Sequence, residues 1–262
     1  MPVQPCVSTD PLAPLWEQLG WQPSPQQLEL FVQLQLHLQQ WNSRLNLTRL
    51  VEGDDYWIAQ VFDSLWPMAA VLRAQHGANA EAKPLRLIDV GTGGGFPGLA
   101  LAIALPEAEL SLVDSVQRKI DAVRAMAAAL GLAPRLHFCS ERIEKLGRSA
   151  PWRGGFDWAV ARAVAPAPVV AEYLVPLLRP DGQALLYRGQ WSDDDQRQLV
   201  AAARSLNAGI EQVMRCELPA GRGQRTAITL RPKQGCPRQY PRAVGLPAKQ
   251  PLGGIKDGAG SA

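Results

Sequence analysis

Between residues 25 and 38 the apolar side chains Leu28, Phe31, Leu34 and Leu38 recur at intervals of three and four, the spacing of one helix face. Trp41 and Leu45 prolong the stripe, so the pattern predicts a long N-terminal helix. Residues 59–73 (AQVFDSLWPMAAVLR) extend this helical part, with Pro67 as a break or first-turn residue. The period then changes. Residues 85–90 (LRLIDV), 109–114 (ELSLVD), 135–139 (RLHFC), 157–162 (DWAVAR) and 183–187 (QALLY) read as short strands. Between them, 99–105 (LALAIAL) reads as a buried helix and 117–130 (QRKIDAVRAMAAAL) as an amphipathic one ended by Gly131. Strand alternating with helix predicts an α/β, Rossmann-like fold, a mostly parallel central sheet with helices on both faces, here preceded by an N-terminal helical extension.

The chain divides on this reading into an N-terminal segment (1–24), a helical part packed on the core (25–80), the Rossmann-like domain (81–232) and a tail (233–262). With 262 residues, 47% of them apolar, it can bury one large core, or one core with a small appendage. Its start lacks a basic stretch followed by an apolar run, and no 18 consecutive residues are apolar, so a cytoplasmic location away from membranes is expected. The four cysteines, Cys6, Cys139, Cys216 and Cys236, are far apart without a C-x-x-C pair, which points away from a structural metal or a disulfide framework.

Net charge is +3, but its distribution changes the picture. From Pro219 onward there are eight basic residues and one acid, whereas the first 218 residues hold 19 Lys and Arg against 23 Asp and Glu. The positive excess belongs to the C-terminal part. Beyond Lys233 the chain is rich in Pro and Gly with little periodicity, so a flexible basic tail is expected, either a partner-binding or a merely solubilising extension.

Residues 87–98, LIDVGTGGGFPG, carry five glycines in eight residues directly after a predicted strand and before a predicted helix. That context makes a nucleotide-type loop of an otherwise generic run. Counting from Gly91, where the strand ends, Phe96 occupies the third glycine position; counting from Gly93, the spacing fits through Gly95 and Gly98. The frame from Gly91 is preferred because the turn must come where the strand stops, and Phe96 then closes over a ligand face. Asp114, at the end of the second strand, is placed to accept hydrogen bonds from two ribose hydroxyls, with a helix cap as its plainer alternative. Two cofactor classes share this architecture: nicotinamide dinucleotides and S-adenosylmethionine. Asp89, two residues before Gly91, would repel a pyrophosphate but suits a ligand carrying ammonium and sulfonium charges.

"WNSRLNLT" (41–48), "FDSL" (62–65), "LIDVGTGGGFPGLALAIALPEAELSLVDS" (87–115), "SERIEKL" (140–146) and "FDWAVARAVA" (156–165), taken in order, resemble the glucose-inhibited division protein B family, bacterial small-subunit rRNA guanine-N7 methyltransferases. The resemblance spans roughly residues 25–232. It implies a class I S-adenosylmethionine-dependent methyltransferase fold, S-adenosylmethionine as cofactor, and 16S rRNA of the small ribosomal subunit as partner. The family's cofactor positions fall on Gly91 and Phe96, on Asp114, Ser115 and Val116, on Ile143 and Glu144 beside the adenine, and on Arg162. Two positions depart from the family pattern: Gln60 stands where histidine is common and Arg188 where lysine is expected.

The implied chemistry agrees with the residues present. Guanine N7 carries a free lone pair at neutral pH, so in-line methyl transfer needs positioning and electrostatics but no general base. There is no D/N-P-P-Y/F/W tetrapeptide for an exocyclic amine and no Pro-Cys nucleophile after the fourth strand. His37, His76 and His137 are scattered and read as structural or solvated. Arg162, a fixed cation at the carboxyl edge of the sheet, is the side chain most expected to matter near the ligand, with an ion pair to a neighbouring acid as its plainer alternative. Arg118 and Lys119 oppose the dipole at their helix start; with Arg188, Arg222 and Arg225 they could form a phosphate-facing rim. A monomer is expected, with no metal. Two other readings remain: a class I methyltransferase acting on a small molecule or protein, and a nucleotide-sensing module without turnover.

Overall fold

The computed structural model describes residues 11–75 and 83–254; Cys6, His76 and the end of the tail lie outside the described residues. The chain begins with α1 (Ala13–Leu19) and α2 (Pro25–Leu45). Ser24 and Gln27 exchange side-chain and backbone hydrogen bonds at the start of α2, a reciprocal box that pairs two otherwise orphaned amides. Phe31, Leu34 and Leu38 are fully buried, as the stripe predicts. The helix expected over 59–73 is broken. A short α3 (Gly53–Tyr56) runs through a π turn, Trp57–Phe62, into α4 (Asp63–Leu65), and a 3-10 turn, Trp66–Met68, carries Pro67 ahead of α5 (Ala69–Gln75). The wide turn directs both the Ala59 carbonyl and the Gln60 side chain at Arg162, and π turns are frequent at functional sites for such reasons.

The sheet follows as β1 (Arg86–Val90), α6 (Gly98–Ala104), β2 (Glu109–Asp114), α7 (Gln117–Ala129), β3 (Leu136–Ser140), α8 (Ile143–Leu146), β4 (Phe156–Arg162), α9 (Ala167–Leu174) and β5 (Leu178–Arg188). It closes with α10 (Asp193–Ser205), β6 (Ala208–Glu217) and β7 (Gln224–Pro232), and a last turn, α11 (Leu246–Lys249), lies beyond it. Strand order is β3-β2-β1-β4-β5-β7-β6. The pairs among β1 to β5 are parallel, and β7 runs antiparallel to both β5 and β6. The order in which strands are added reverses between β1 and β4, the point at which open α/β sheets take their ligands.

Alternation along each strand sorts side chains to two cores. Leu87, Leu112, Val160, Leu185 and Ala227 share one with α1, α2, α6 and α7; Ile88, Val113, Ala161, Leu186 and Ile228 share the other with α8, α9 and α10. The N-terminal helices thus complete one layer of the sandwich. The crossing of α6 over the sheet depends on Gly98. A Cβ there would stand 2.1 Å from Leu112 Cδ2 and 2.7 Å from Asp89 Oδ2, so Gly98, reached by counting from Gly93, fills the helix-packing role that the frame from Gly91 left vacant. Gly98→Ala is expected to lower stability by about 1–3 kcal/mol through overpacking, despite alanine's better helix propensity, as a denaturant titration would read.

The tail reading needs correction over 233–254. This segment packs across α8, α9 and α10. Arg242 pairs with Glu172 of α9, itself fully buried. Arg153 donates to the carbonyls of Cys236, Pro237 and Tyr240, and Arg148 to those of Gln239 and Pro241. Tyr240 and Pro247 are buried. Proline and glycine here do not signal freedom; the anchoring comes from arginines and a glutamate distant in sequence, which local composition cannot register.

Candidate active site

A cavity of about 570 Å³ opens at the carboxyl ends of β1, β2 and β4, within the range of small-molecule sites. The glycine loop forms its floor. The amides of Gly91 and Thr92 both donate to the Val113 carbonyl, at 2.8 and 2.9 Å, which fastens the loop to β2. Gly91 has φ 75°, and a Cβ on it would come within 2.5 Å of Val164 Cγ2. Only glycine turns the chain here without closing the space.

Asp114 ties the loop to the next turn. One carboxylate oxygen accepts the Gly93 amide at 3.1 Å and the other the Val116 amide at 2.9 Å, while the side chain still lines the cavity. Its cap-like bonding and its exposure to the cavity coexist, since a carboxylate has lone pairs beyond those two. Gly91, Phe96, Asp114, Ser115, Ile143, Glu144 and Arg162 all line the cavity; Val116 does not, and contributes the amide that holds Asp114. Glu144 is buried. Burial raises its pKa, but the Arg142 guanidinium and the Gly245 amide outweigh that and leave it below the ordinary value.

Asp89 is not where the charge argument put it. By alternation it shares the face of Leu87, so it points under the loop toward α6 and accepts the Gly98 amide at 2.9 Å. It is 1% exposed and outside the cavity lining. Burial pushes its carboxyl up to about 6, with the nearby Thr92 hydroxyl, the Gly98 amide and the Arg162 charge pulling the other way.

Arg162 is held in the ion pair that was its plainer alternative, and it still faces the cavity. Its guanidinium donates to Asp63 Oδ2 at 3.2 Å, to the Ala59 carbonyl at 3.1 Å and to Gln60 Oε1, and sits 5.9 Å above the Phe96 ring. This network explains the two N-terminal motifs. Asn42 accepts the Thr48 amide, Asn46 turns the chain in the left-handed region, and the Thr48 hydroxyl accepts from Gln60 Nε2. Ser64 donates to the Gln60 carbonyl, and Tyr187 donates to the Ser64 carbonyl. Gln60, the departure from the family's histidine, therefore bridges the Thr48 turn and Arg162. Beside it lies a second cavity of about 440 Å³. Thr48, Gln60, Arg162 and Ala163 wall both.

The five basic residues do not gather into one rim. Arg188 and Arg225 line the second cavity, with Arg188 donating to the Ala165 carbonyl and Arg225 standing 3.8 Å from Asp63. Arg222 pairs with Asp55. Across the site, Lys119 lines the first cavity and Arg118 is exposed at the start of α7. Tyr173 and Ala248 also line the first cavity; neither has a local pattern that marks it.

Residues 26–225 match the family model described as rRNA small subunit methyltransferase G. The chain belongs to this family. Among the relatives is a ribosomal RNA small subunit methyltransferase G from Synechococcus, 62% identical over 90% of this chain and 97% of that protein. Another, of the same name from Parasynechococcus marenigrum, is 58% identical over 97% of this chain and all of that protein. Family membership makes the protein a methyltransferase with S-adenosylmethionine as methyl donor. Its fold is that of class I enzymes: an O-methyltransferase from Bacillus cereus, solved with S-adenosylhomocysteine, superposes with a TM-score of 0.52 at 13% identity, over 75% of this chain and 90% of that one. Among the described residues no helix is long and apolar enough to cross a membrane.

Proposed function

We propose that this protein methylates N7 of one guanine in 16S rRNA of the small ribosomal subunit, acting as a cytoplasmic monomer. The observation that carries the reading is the pair of cavities sharing Thr48, Gln60, Arg162 and Ala163 as a common wall. One would hold the methyl donor and the other the target base. The first fits its group: a carboxylate at the end of β2 for the ribose hydroxyls, a glycine cradle that a Cβ would fill, and apolar Ile143 for the adenine. When bound, S-adenosylmethionine supplies an electrophilic methyl on a sulfonium. Guanine N7 carries a free lone pair, so the residues around the two cavities would have to align donor and base but would not have to remove a proton first. The chain's task is then alignment and charge. Arg162, fixed by three acceptors, keeps the shared wall in place. Thr226 lines the second cavity, its hydroxyl buried and without a protein partner among the described residues. Arg188 and Arg225 flank that cavity and Arg118 is exposed on the surface, positions suited to phosphates.

The deciding experiment supplies labelled S-adenosylmethionine and small subunits or rRNA from cells lacking this gene, and identifies the labelled nucleoside. Label in 7-methylguanosine at one 16S site is expected; label in another nucleoside, or none, would overturn the assignment. Asp114→Ala should weaken binding of the methyl donor about 100-fold, since two charge-assisted hydrogen bonds are lost, as calorimetry would show. Reversing Arg118, Arg188 and Arg225 together should weaken rRNA binding and flatten its salt dependence; filter binding across a salt series checks this.

A further inference from the structure

The geometry points to the C-terminal strap, residues 236–250, as part of the cofactor site, closing its adenine end and holding Glu144 in place. The inference rests on the cofactor placement proposed above. It concerns residues beyond the 26–225 that match the family model.

The strap reaches the cavity itself. Ala248, in α11, is a lining residue together with Ile143, Glu144 and Tyr173. Three residues earlier, the Gly245 amide donates to Glu144 Oε1 at 3.0 Å. Glu144 is 1% exposed, and its other partners are the Arg142 guanidinium, at 2.7 and 3.2 Å, and the Tyr173 hydroxyl at 3.4 Å. Without the strap, one face of this carboxylate and the cavity wall at Ala248 would open to water. A buried carboxylate holds its orientation only while its acceptor sites are filled, so the amide orients Glu144 as well as covering it.

Anchoring of the strap is strong enough for that role. Arg242 places Nε and Nη2 on both oxygens of buried Glu172, at 2.6–3.1 Å, and its own amide adds a further bond at 2.8 Å. The same guanidinium donates to the Gln250 carbonyl at 2.7 Å, drawing the end of α11 back to α9. Pro241 lies on Gly147, at the end of α8, so closely that a Cβ there would be 2.9 Å from its Cγ. Arg242 and Gly147 are thus positioning residues: they touch no ligand but set where Gly245 and Ala248 stand.

Two independent measurements test this in the full chain. Arg242→Ala and, separately, Gly147→Ala should raise the KM for S-adenosylmethionine about tenfold, with kcat at saturating cofactor and the KM for rRNA within twofold of the parent. Arg242→Lys should recover part of the difference. By reciprocity, a strap that tightens cofactor binding must itself be tightened by the cofactor. In the parent protein, saturating S-adenosylmethionine should therefore slow tryptic cleavage after Arg242 and Lys249 about tenfold, and more than cleavage after Arg204 on α10. Unchanged cofactor KM in a folded variant would overturn the inference, and so would strap cleavage indifferent to the cofactor, a result available even if neither variant folds. Asp114→Ala serves as the separate control: if it keeps the parent's cofactor affinity, the cofactor placement falls, whereas its loss beside unaffected strap variants rejects the strap alone.

Discussion

Arg162→Ala is expected to cost about 3–5 kcal/mol of folding stability and to abolish methyl transfer. Asp63 is the reason. It is 7% exposed, and its oxygens accept from Arg162 at 3.2 Å and Trp66 Nε1 at 3.3 Å, with Arg225 more distant at 3.8 Å. Removing the guanidinium leaves a buried carboxylate without its nearest counter-charge, the situation in which breaking a buried pair is most costly. The Ala59 carbonyl and Gln60 lose their donor at the same time. A second variant separates stability from chemistry. Arg162→Met combined with Asp63→Leu removes both charges and should recover most of the loss in urea unfolding, yet remain inactive, because the wall between the two cavities no longer holds its cation. Activity returning with stability would show that Arg162 serves folding only.

The same residue marks how far the sequence alone could be read. Strand ends were legible because β1, β2 and β4 are short, largely buried apolar runs that end on a polar residue or at a glycine, so Asp114 and Arg162 could be placed at the carboxyl edge. The partner of Arg162 was not. Asp63 and Gln60 lie about a hundred residues away, and a π turn, invisible to a 3.6-residue period, brings them in. The outer strands were missed for different reasons. In β7 the run from Thr226 to Leu230 is buried on both faces, including two threonines, and offers no alternation; in β6 the edge alternates weakly because Glu211, Gln212 and Arg215 face water. Asp89 shows a third limit. Spacing put it before the glycine loop, but which face it takes is a matter of period two, and its parity sent it beneath the loop. The strap was misread because proline and glycine content reports on local preference, while Arg242 and Glu172 meet across 70 residues.

Asp89→Asn should make the protein more stable at pH 7 and less able to bind its cofactor. The sign follows from the raised pKa. With the native carboxyl pushed up to about 6 from an ordinary value of 3.8, the folded protein holds a proton that the unfolded chain releases between those values. Stability from this group is therefore complete below about pH 3.8 and lost as pH rises through about 6. The difference amounts to about 3 kcal/mol at neutral pH. An asparagine keeps an acceptor for the Gly98 amide and carries no charge to bury, and its amide nitrogen would face the nearby Thr92 hydroxyl. Urea unfolding from pH 4 to 8 should show the parent losing stability across that window relative to the variant, with the curves meeting at the acid end. The cavity on the other side of the glycine loop is where this charge would act. The expected role is electrostatic: an ionised Asp89 would attract a cationic ligand across the glycine loop, so by linkage the affinity of the parent for S-adenosylmethionine should rise between pH 5 and 7 while that of the variant stays flat and weaker. A variant that is more stable and binds as tightly as the parent would leave the buried carboxylate without a function at this site.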